Sequence, residues 1–258
     1  DLEKRRLRVI GDPKIRFEED PVRMLRALEF SARLEFSLNH STLTTITEQA
    51  PLIAEAATAR IREELLELFR HGVGAEVLQQ AQALGLMQPM MGGYLPGKVT
   101  FRLLHELNRY FQKLGKVDEA VLLAALFIDH FWKKCPVKAS LPINEVVQSA
   151  GHLMTPYCAH FHLAHGLRHQ ARELLVGCYR FARGLGHRGQ KRFLQNPGTP
   201  LALEMFRLWT EASGGDRALL ATWQKALHTR DEISHQPSRD ATRRTRRRPR
   251  RRRQSTPA

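Results

Sequence analysis

Apolar residues recur along most of this chain with the spacing of amphipathic helices, while the alternation typical of strands is nearly absent. In residues 59–71, for example, Ile61, Leu65 and Leu68 share one face, and Gly72 provides a stop signal. Helices are predicted at 21–34, 59–71, 75–84, 101–114, 118–132, 158–183, 201–212 and 217–229, and also before Gln49 and from Asn144. The pattern therefore predicts an all-α, irregular array of roughly ten helices.

Breaks in this pattern and a shift in composition divide the chain into four predicted parts. These are an N-terminal segment at 1–38, a helical body at 39–135, a C-terminal helical region at 136–235 and a tail at 236–258. The formal net charge is +15, and residues 239–253 carry +9 of it as ten arginines against one acid. Because such a run has almost nothing apolar to bury, the tail is predicted to be disordered.

The charge of the tail suits a polyanion. Guanidinium groups bind phosphate well, and neutralising phosphates releases counterions, so we predict sequence-nonspecific RNA binding. A solubilising tail or a localisation signal is the alternative. The tail residues expected to contact RNA are Arg243, Arg244, Arg246, Arg247, Arg248, Arg250, Arg251, Arg252 and Arg253.

Other classes of protein are disfavoured by the composition. No run approaches the twenty apolar residues of a membrane span, and the charged N-terminus is not a signal peptide. Three widely spaced cysteines predict neither a disulfide framework nor a metal site, so a cytoplasmic protein without a membrane partner is expected. Four histidines between His160 and His169 have zinc-like spacing, but no completing ligand accompanies them and no metal site is predicted.

The stretch IRFEEDPVRMLRALEF, residues 15–30, holds the candidate chemistry. Asp20 is predicted to cap a helix with Pro21 in its first turn, and Arg23 follows one turn later. A carboxylate acceptor beside a guanidinium donor matches adenine and cytosine, which present an amino group beside a ring nitrogen acceptor. Guanine and uracil present the opposite pattern and are rejected. The plainer alternative is that Asp20 only caps and that Arg23 pairs with Glu19 or solvent.

This stretch resembles the neck motif of the class II nucleotidyltransferases, the family of bacterial poly(A) polymerases and CCA-adding enzymes. Glu19, Asp20 and Arg23 occupy the Glu-Asp-x-x-Arg core of that motif, with Arg16 and Arg26 matching around it. The resemblance implies that the Asp and the Arg hydrogen-bond the base of an incoming nucleotide. Glu19, Arg16 and Arg26 are expected to belong to the same nucleotide-binding site.

A second motif extends the resemblance, and one position departs from it. The stretch TARIREELLELF resembles the next family motif, in which an Arg and a Glu on a helix steady the neck. These are Arg60 and Glu64, an i,i+4 pair that is able to bridge on one helix face. Glu29 departs from the family, which usually has Arg there, so a phosphate contact at that position is in doubt.

The resemblance implies an RNA 3′-end nucleotidyltransferase with ATP as substrate and Mg²⁺ held by a catalytic head domain. Neither a GG-x-x-RD element nor a D-x-D pair occurs here, and the chain starts at Asp1 rather than Met. We therefore expect that the head is missing and that this chain alone is inactive.

The C-terminal half bears on which member of the family this is. The stretch GHRGQKRFLQNP resembles a basic region of bacterial poly(A) polymerases, so Arg188, Lys191 and Arg192 are predicted to bind RNA. This feature and the arginine-rich tail favour polyadenylation. A CCA-adding enzyme and a non-catalytic RNA-binding helical protein remain the alternatives.

Overall fold

The computed structural model describes residues 1–235, and it is built almost entirely from helices. The two short strands are β1 (Arg6–Leu7) and β2 (Ser37–Leu38), which pair in parallel. Short 3-10 helices lie at Ala50–Glu55 and Val137–Ala139. The α-helices are α1 (Pro13–Glu19), α2 (Val22–Leu34), α3 (His40–Gln49), α4 (Thr58–Arg70), α5 (Gly74–Ala83), α6 (Met87–Met90), α7 (Lys98–Leu114), α8 (Glu119–Lys134), α9 (Ile143–His160), α10 (His165–Ala182), α11 (Gln190–Leu194), α12 (Thr199–Ser213) and α13 (Arg217–His235).

The all-α fold class is confirmed, and within residues 1–235 there are thirteen α-helices instead of roughly ten. The three additional helices, α1, α6 and α11, have four to seven residues each. Such short helices leave little periodicity for a sequence pattern to reveal. The predicted disorder of the tail at 236–258 lies outside the described residues.

One predicted helix start was wrong by several residues. Cys158 belongs to the end of α9, and the next helix begins at His165 instead of residue 158. The break between them is local: His162 adopts a left-handed conformation (φ 49°), and the Leu163 N–H donates to the Cys158 carbonyl. A residue in this conformation followed by a backward hydrogen bond is a common way for a helix to stop.

Buried apolar side chains form one continuous core that extends from Phe17 in α1 to Trp223 in α13. Helices α7, α8, α10 and α12 pack on one another at its centre, and α5 joins α2 to α7. Helices α10 and α12 approach closely at Gly177, where a Cβ atom would lie 2.6 Å from the Cβ of Ala202. Through its packing on α5, helix α2 is joined to this core.

Gly97, the residue before α7, provides a stability test of the contact between the start of α7 and Asp129 of α8. The backbone N–H of Val99 donates to Oδ2 of Asp129 at 3.0 Å, and a Cβ on Gly97 would lie 1.9 Å from that same oxygen. Gly97→Ala is therefore expected to displace Asp129 and lower the free energy of unfolding by about 2 kcal/mol. Urea unfolding measures this as a lower midpoint with an unchanged slope.

Gly166 is the matched control for Gly97. It lies in the first turn of α10, and no heavy atom lies within 4 Å of a Cβ placed there. Gly166→Ala is expected to be neutral or to stabilise by about 0.5 kcal/mol, because alanine favours helices more than glycine does. Equal midpoints for the two variants would contradict the proposed role of Gly97.

Candidate functional site

The candidate site lies where α1 meets α2. Glu19 closes α1, and its Oε2 atom accepts hydrogen bonds from Arg23 at 2.8 Å and from Arg16 at 3.0 Å. These two hydrogen bonds, the first from Arg23, lower the pKa of the Glu19 carboxyl below its ordinary value. Arg23 also donates to the backbone carbonyl of Arg16 at 3.2 Å. Glu19 therefore stays ionised and holds both guanidinium groups at the helix tip.

Asp20 fills the corner between the two helices. Its backbone N–H donates to the carbonyl of Arg16, and its Oδ1 accepts the Val22 N–H at 3.3 Å. The helix begins at Val22, one residue later than predicted, and Pro21 has helical backbone angles. The predicted capping by the Asp20 side chain is therefore present with that shift of one residue.

Arg60 reaches Asp20 from α4 across forty residues of sequence. Its two terminal nitrogens each donate to one carboxylate oxygen at 3.1 Å, which is the bidentate geometry that arginine favours. The hydrogen bonds to Asp20 raise the pKa of Arg60. Because the fork fixes the plane of the carboxylate, Arg60 orients Asp20.

Arg23 and Asp20 stand side by side at the tip. The Nε atom of Arg23 lies 3.9 Å from Oδ2 of Asp20, and the two side chains are 41% and 19% exposed. Oδ1 of Asp20 accepts from both Arg60 and Val22, whereas Oδ2 keeps a second lone pair beyond the one that Arg60 uses. The tip therefore presents a fixed acceptor beside a donor on an open surface.

Arg60 pairs with Asp20 and does not form the bridge to Glu64 that the i,i+4 spacing allows. Glu64 is partly buried, and this burial raises its pKa above the ordinary value, while the nearby Arg26 opposes the shift. Arg26 is exposed and lies over the Phe30 ring at 5.9 Å from the centroid, one turn beyond Arg23. Arg26 is thus beside Glu64 and outside the Asp20 network.

Glu29, the departure from the family motif, is a buried structural residue. Its Oε1 accepts from Arg33 at 3.0 Å and lies 2.9 Å from Nδ1 of His71, with a side chain only 6% exposed. The carboxylate thereby ties α2 to the end of α4. This role is incompatible with a phosphate contact, as the sequence comparison suggested.

The predicted RNA-binding residues of the C-terminal half lie around α11. Arg188, Lys191 and Arg192 are exposed on the segment that connects α10 to α12. The nine arginines predicted in the tail, from Arg243 to Arg253, lie outside the described residues.

The histidine-rich segment does not gather its side chains at one point. His160 lies 3.2 Å from the Met90 carbonyl, and His169 lies beside Arg172 and Glu173. Among the residues that the structure describes, no three His, Cys, Asp or Glu side chains converge as metal ligands. In that same part of the chain, no helix has the length and apolar character needed to cross a membrane.

One protein family and two solved structures show what this chain is similar to. Residues 35–94 match the family described as "Probable RNA and SrmB-binding site of polymerase A". Two solved structures share the fold: a tRNA nucleotidyltransferase complexed with a primer tRNA and an incoming ATP analog, and an apo form of a tRNA-processing enzyme. Their TM-scores are 0.58 and 0.57, their identities 17% and 19%, and they align with 91% and 90% of this chain and 64% and 65% of their own.

Curated relatives fall in two groups of nucleotidyltransferases. Poly(A) polymerase I of Haemophilus influenzae is 28% identical over 86% of this chain and 52% of its own length. Poly(A) polymerase I of Salmonella typhimurium is 33% identical over 49% of this chain and 30% of its own. The CCA-adding enzyme of Bacillus licheniformis is 39% identical over 46% and 29%. The chain thus spans about half or less of these relatives.

These matches confirm the family resemblance. The chain is similar to the bacterial poly(A) polymerases and CCA-adding enzymes, and its residues 35–94 match the RNA-binding-site family. The matched domain begins at the end of α2 and includes α4, so it supplies the Arg60 that orients Asp20.

Proposed function

We propose that this chain is the nucleotide-recognition and RNA-binding portion of a poly(A) polymerase, an enzyme that adds AMP from ATP to RNA 3′ ends. The observation that carries the proposal is the pairing of a fixed carboxylate with a guanidinium 3.9 Å away at the α2 tip. Asp20 accepts from the amino group of adenine, and Arg23 donates to the neighbouring ring nitrogen. Guanine and uracil leave both protein groups unpaired, which costs free energy and excludes them.

The tip selects the base, and the phosphoryl chemistry belongs to another part of the enzyme. Catalysis of phosphoryl transfer needs metal ions held by paired carboxylates. The sequence contains no Asp-x-Asp pair, and residues 1–229 offer no cluster of metal-ligating side chains. This chain's residues therefore do not fit the Mg²⁺ that the family implies, and a catalytic head domain is proposed to supply it.

Adenine and cytosine share the recognised edge, so the tip by itself fits both poly(A) addition and CCA addition. Two features support polyadenylation: the long alignment with the Haemophilus influenzae enzyme, and the arginine-rich tail that suits sequence-nonspecific RNA. The second candidate, CCA addition, is favoured by the 39% identity to the Bacillus licheniformis enzyme.

Fusing the chain to the catalytic domain of the Haemophilus influenzae poly(A) polymerase I tests the proposal. With an unstructured RNA primer, we expect long tails from ATP, weaker use of CTP and almost no use of GTP or UTP. A tRNA that lacks its terminal CCA separates the two candidates, because a CCA-adding enzyme stops after three additions. Equal use of all four nucleotides would contradict base recognition by the tip.

A further inference from the structure

The RNA-binding-site domain at residues 35–94 is acidic. It contains three arginines, no lysine and seven glutamates, which give a net charge of −4. All three arginines are occupied by carboxylates: Arg60 pairs with Asp20, Arg62 with Glu119, and Arg70 with Glu63 and Glu67. Since phosphate affinity depends on cations that can exchange counterions for phosphate, this domain alone is a poor phosphate-binding surface.

Residues 160–200 show the opposite arrangement. They contain seven arginines and lysines and one glutamate, a net charge of +6, which equals the entire charge of the chain outside the tail segment 239–253. In the part of the chain that the structure describes, Arg172 is the only one of the seven with a carboxylate within 4.0 Å. The seven are Arg168, Arg172, Arg180, Arg183, Arg188, Lys191 and Arg192.

Three of these cations line one cleft. The cleft lies between α10, α11 and the start of α12, and its volume is about 770 Å³. Its basic side chains are Arg180, Arg188 and Arg192, with an apolar floor that includes Leu174 and Leu201. Asp118 and Glu173 are the acids on its wall, so the arginines outnumber them.

Arg180 is the most buried of the three. It is half-buried, and its guanidinium lies over the Phe193 ring at 5.3 Å from the centroid. Burial lowers the pKa of the Arg180 guanidinium below its ordinary value. Within the described residues its guanidinium has neither a carboxylate partner nor a hydrogen-bond acceptor. A partly desolvated cation whose donors are unused is costly unless a ligand satisfies it.

We propose that this cleft binds the phosphate backbone of single-stranded RNA, with Arg180 as the central contact and Arg188 and Arg192 at the rim. The inference rests on the proposed function, because it supplies the RNA-holding surface which that function requires. Phe193 supports the face of the Arg180 guanidinium, so that its edge is free to donate two hydrogen bonds to one phosphate.

The dimensions and chemistry of the cleft favour single-stranded RNA over the other anionic partners. A volume of about 770 Å³ suits one small ligand unit, whereas duplex RNA is read across two successive minor grooves. An acidic peptide would share the attraction to arginine. The apolar floor and the guanidinium face instead suit an unstacked base that accompanies its phosphate.

Binding of a fluorescent oligoadenylate of about eight nucleotides to the full chain tests the cleft. Arg180→Met keeps the length of the side chain and removes its charge, and we expect about ten-fold weaker binding. The slope of log affinity against log salt should fall by about 0.7, the value for one single-strand phosphate contact. Thermal unfolding of each variant checks that the fold is intact.

Arg183→Met is the matched control. Arg183 lies on the same helix, also faces an aromatic ring, Tyr179 at 6.0 Å, and is outside the cleft. We expect it to change affinity by about two-fold or less, because a cation outside the cleft contributes only to the general field of the protein. A second pair repeats the contrast should Arg180→Met fold poorly: Arg192→Met in the cleft against Lys225→Met, an exposed cation on α13 outside it.

The outcomes separate this site from the proposed function. Equal RNA affinity for Arg180→Met, Arg192→Met and their controls overturns the cleft, even where the fusion enzyme still selects ATP. Polyglutamate binding that is lost in Arg180→Met while RNA binding persists also overturns it, and assigns the cleft to an acidic peptide. Selective loss of RNA binding in the cleft variants supports the proposal, whichever nucleotide the fusion enzyme uses.

Discussion

Arg23→Ala in the fusion enzyme is expected to lower the rate with ATP about a hundred-fold and to abolish discrimination among the four nucleotides. Arg23 supplies the donor for the ring nitrogen, and no other arginine replaces it, since Arg60 is committed to Asp20 and Arg16 to Glu19. A polar site rejects the wrong base because its own groups would be left unpaired. Removing the donor removes both the attraction and the penalty. Single-turnover incorporation with each nucleotide measures the two effects.

Lys14→Ala is the control for Arg23→Ala. Lys14 is an exposed cation on α1, close to the tip in sequence but outside the network of Asp20, Arg23 and Arg60. Its loss changes the charge by the same amount and should leave nucleotide selection unchanged. A variant Arg23→Ala that still prefers ATP over GTP by the original ratio would show that Arg23 serves only Glu19.

The placement of Asp20 and Arg23 at the tip of α2 was predictable from the sequence, whereas the pairing of Asp20 with Arg60 was not. A helix start with an acid at the cap and an arginine one turn later is a local pattern, so Asp20 and Arg23 could be placed beside each other. The partner that orients Asp20 lies forty residues away, and its local spacing pointed to Glu64 instead. Pairing across helices depends on the packing of α2 against α4, which periodicity does not determine.

The residues of the cleft were likewise only partly predictable from the sequence. The sequence identified Arg188, Lys191 and Arg192 as one basic cluster, but the structure places only Arg188 and Arg192 on the cleft wall. Arg180 lies within the predicted helix 158–183, where no sequence motif distinguishes it. Its significance comes from the contact with Phe193, which the fold brings back onto α10. Counting charges along the sequence identifies a basic region. Only the tertiary structure shows which of its side chains line one cleft.

Deleting residues 239–253 is expected to weaken RNA binding by the full chain by about a hundred-fold or more near physiological salt. The segment carries +9 of the chain's net charge of +15. Contact of about six of its ten arginines with phosphates would contribute about 4 to the salt slope of single-strand binding. The deletion should therefore flatten the salt dependence, which titrations of the labelled oligoadenylate at several salt concentrations measure.

Replacing the ten arginines of 239–253 by lysines separates charge from the chemistry of the guanidinium. Lysine keeps the counterion release but loses the bidentate fork and the stacking surface, so the salt slope should persist while the affinity falls moderately. Adding Arg180→Met to the deletion should weaken binding by the same factor as in the intact chain when the tail and the cleft bind RNA independently, because independent effects on binding add. An unchanged salt slope after the deletion would leave the tail a solubilising segment, with the cleft as the RNA-binding surface of the chain.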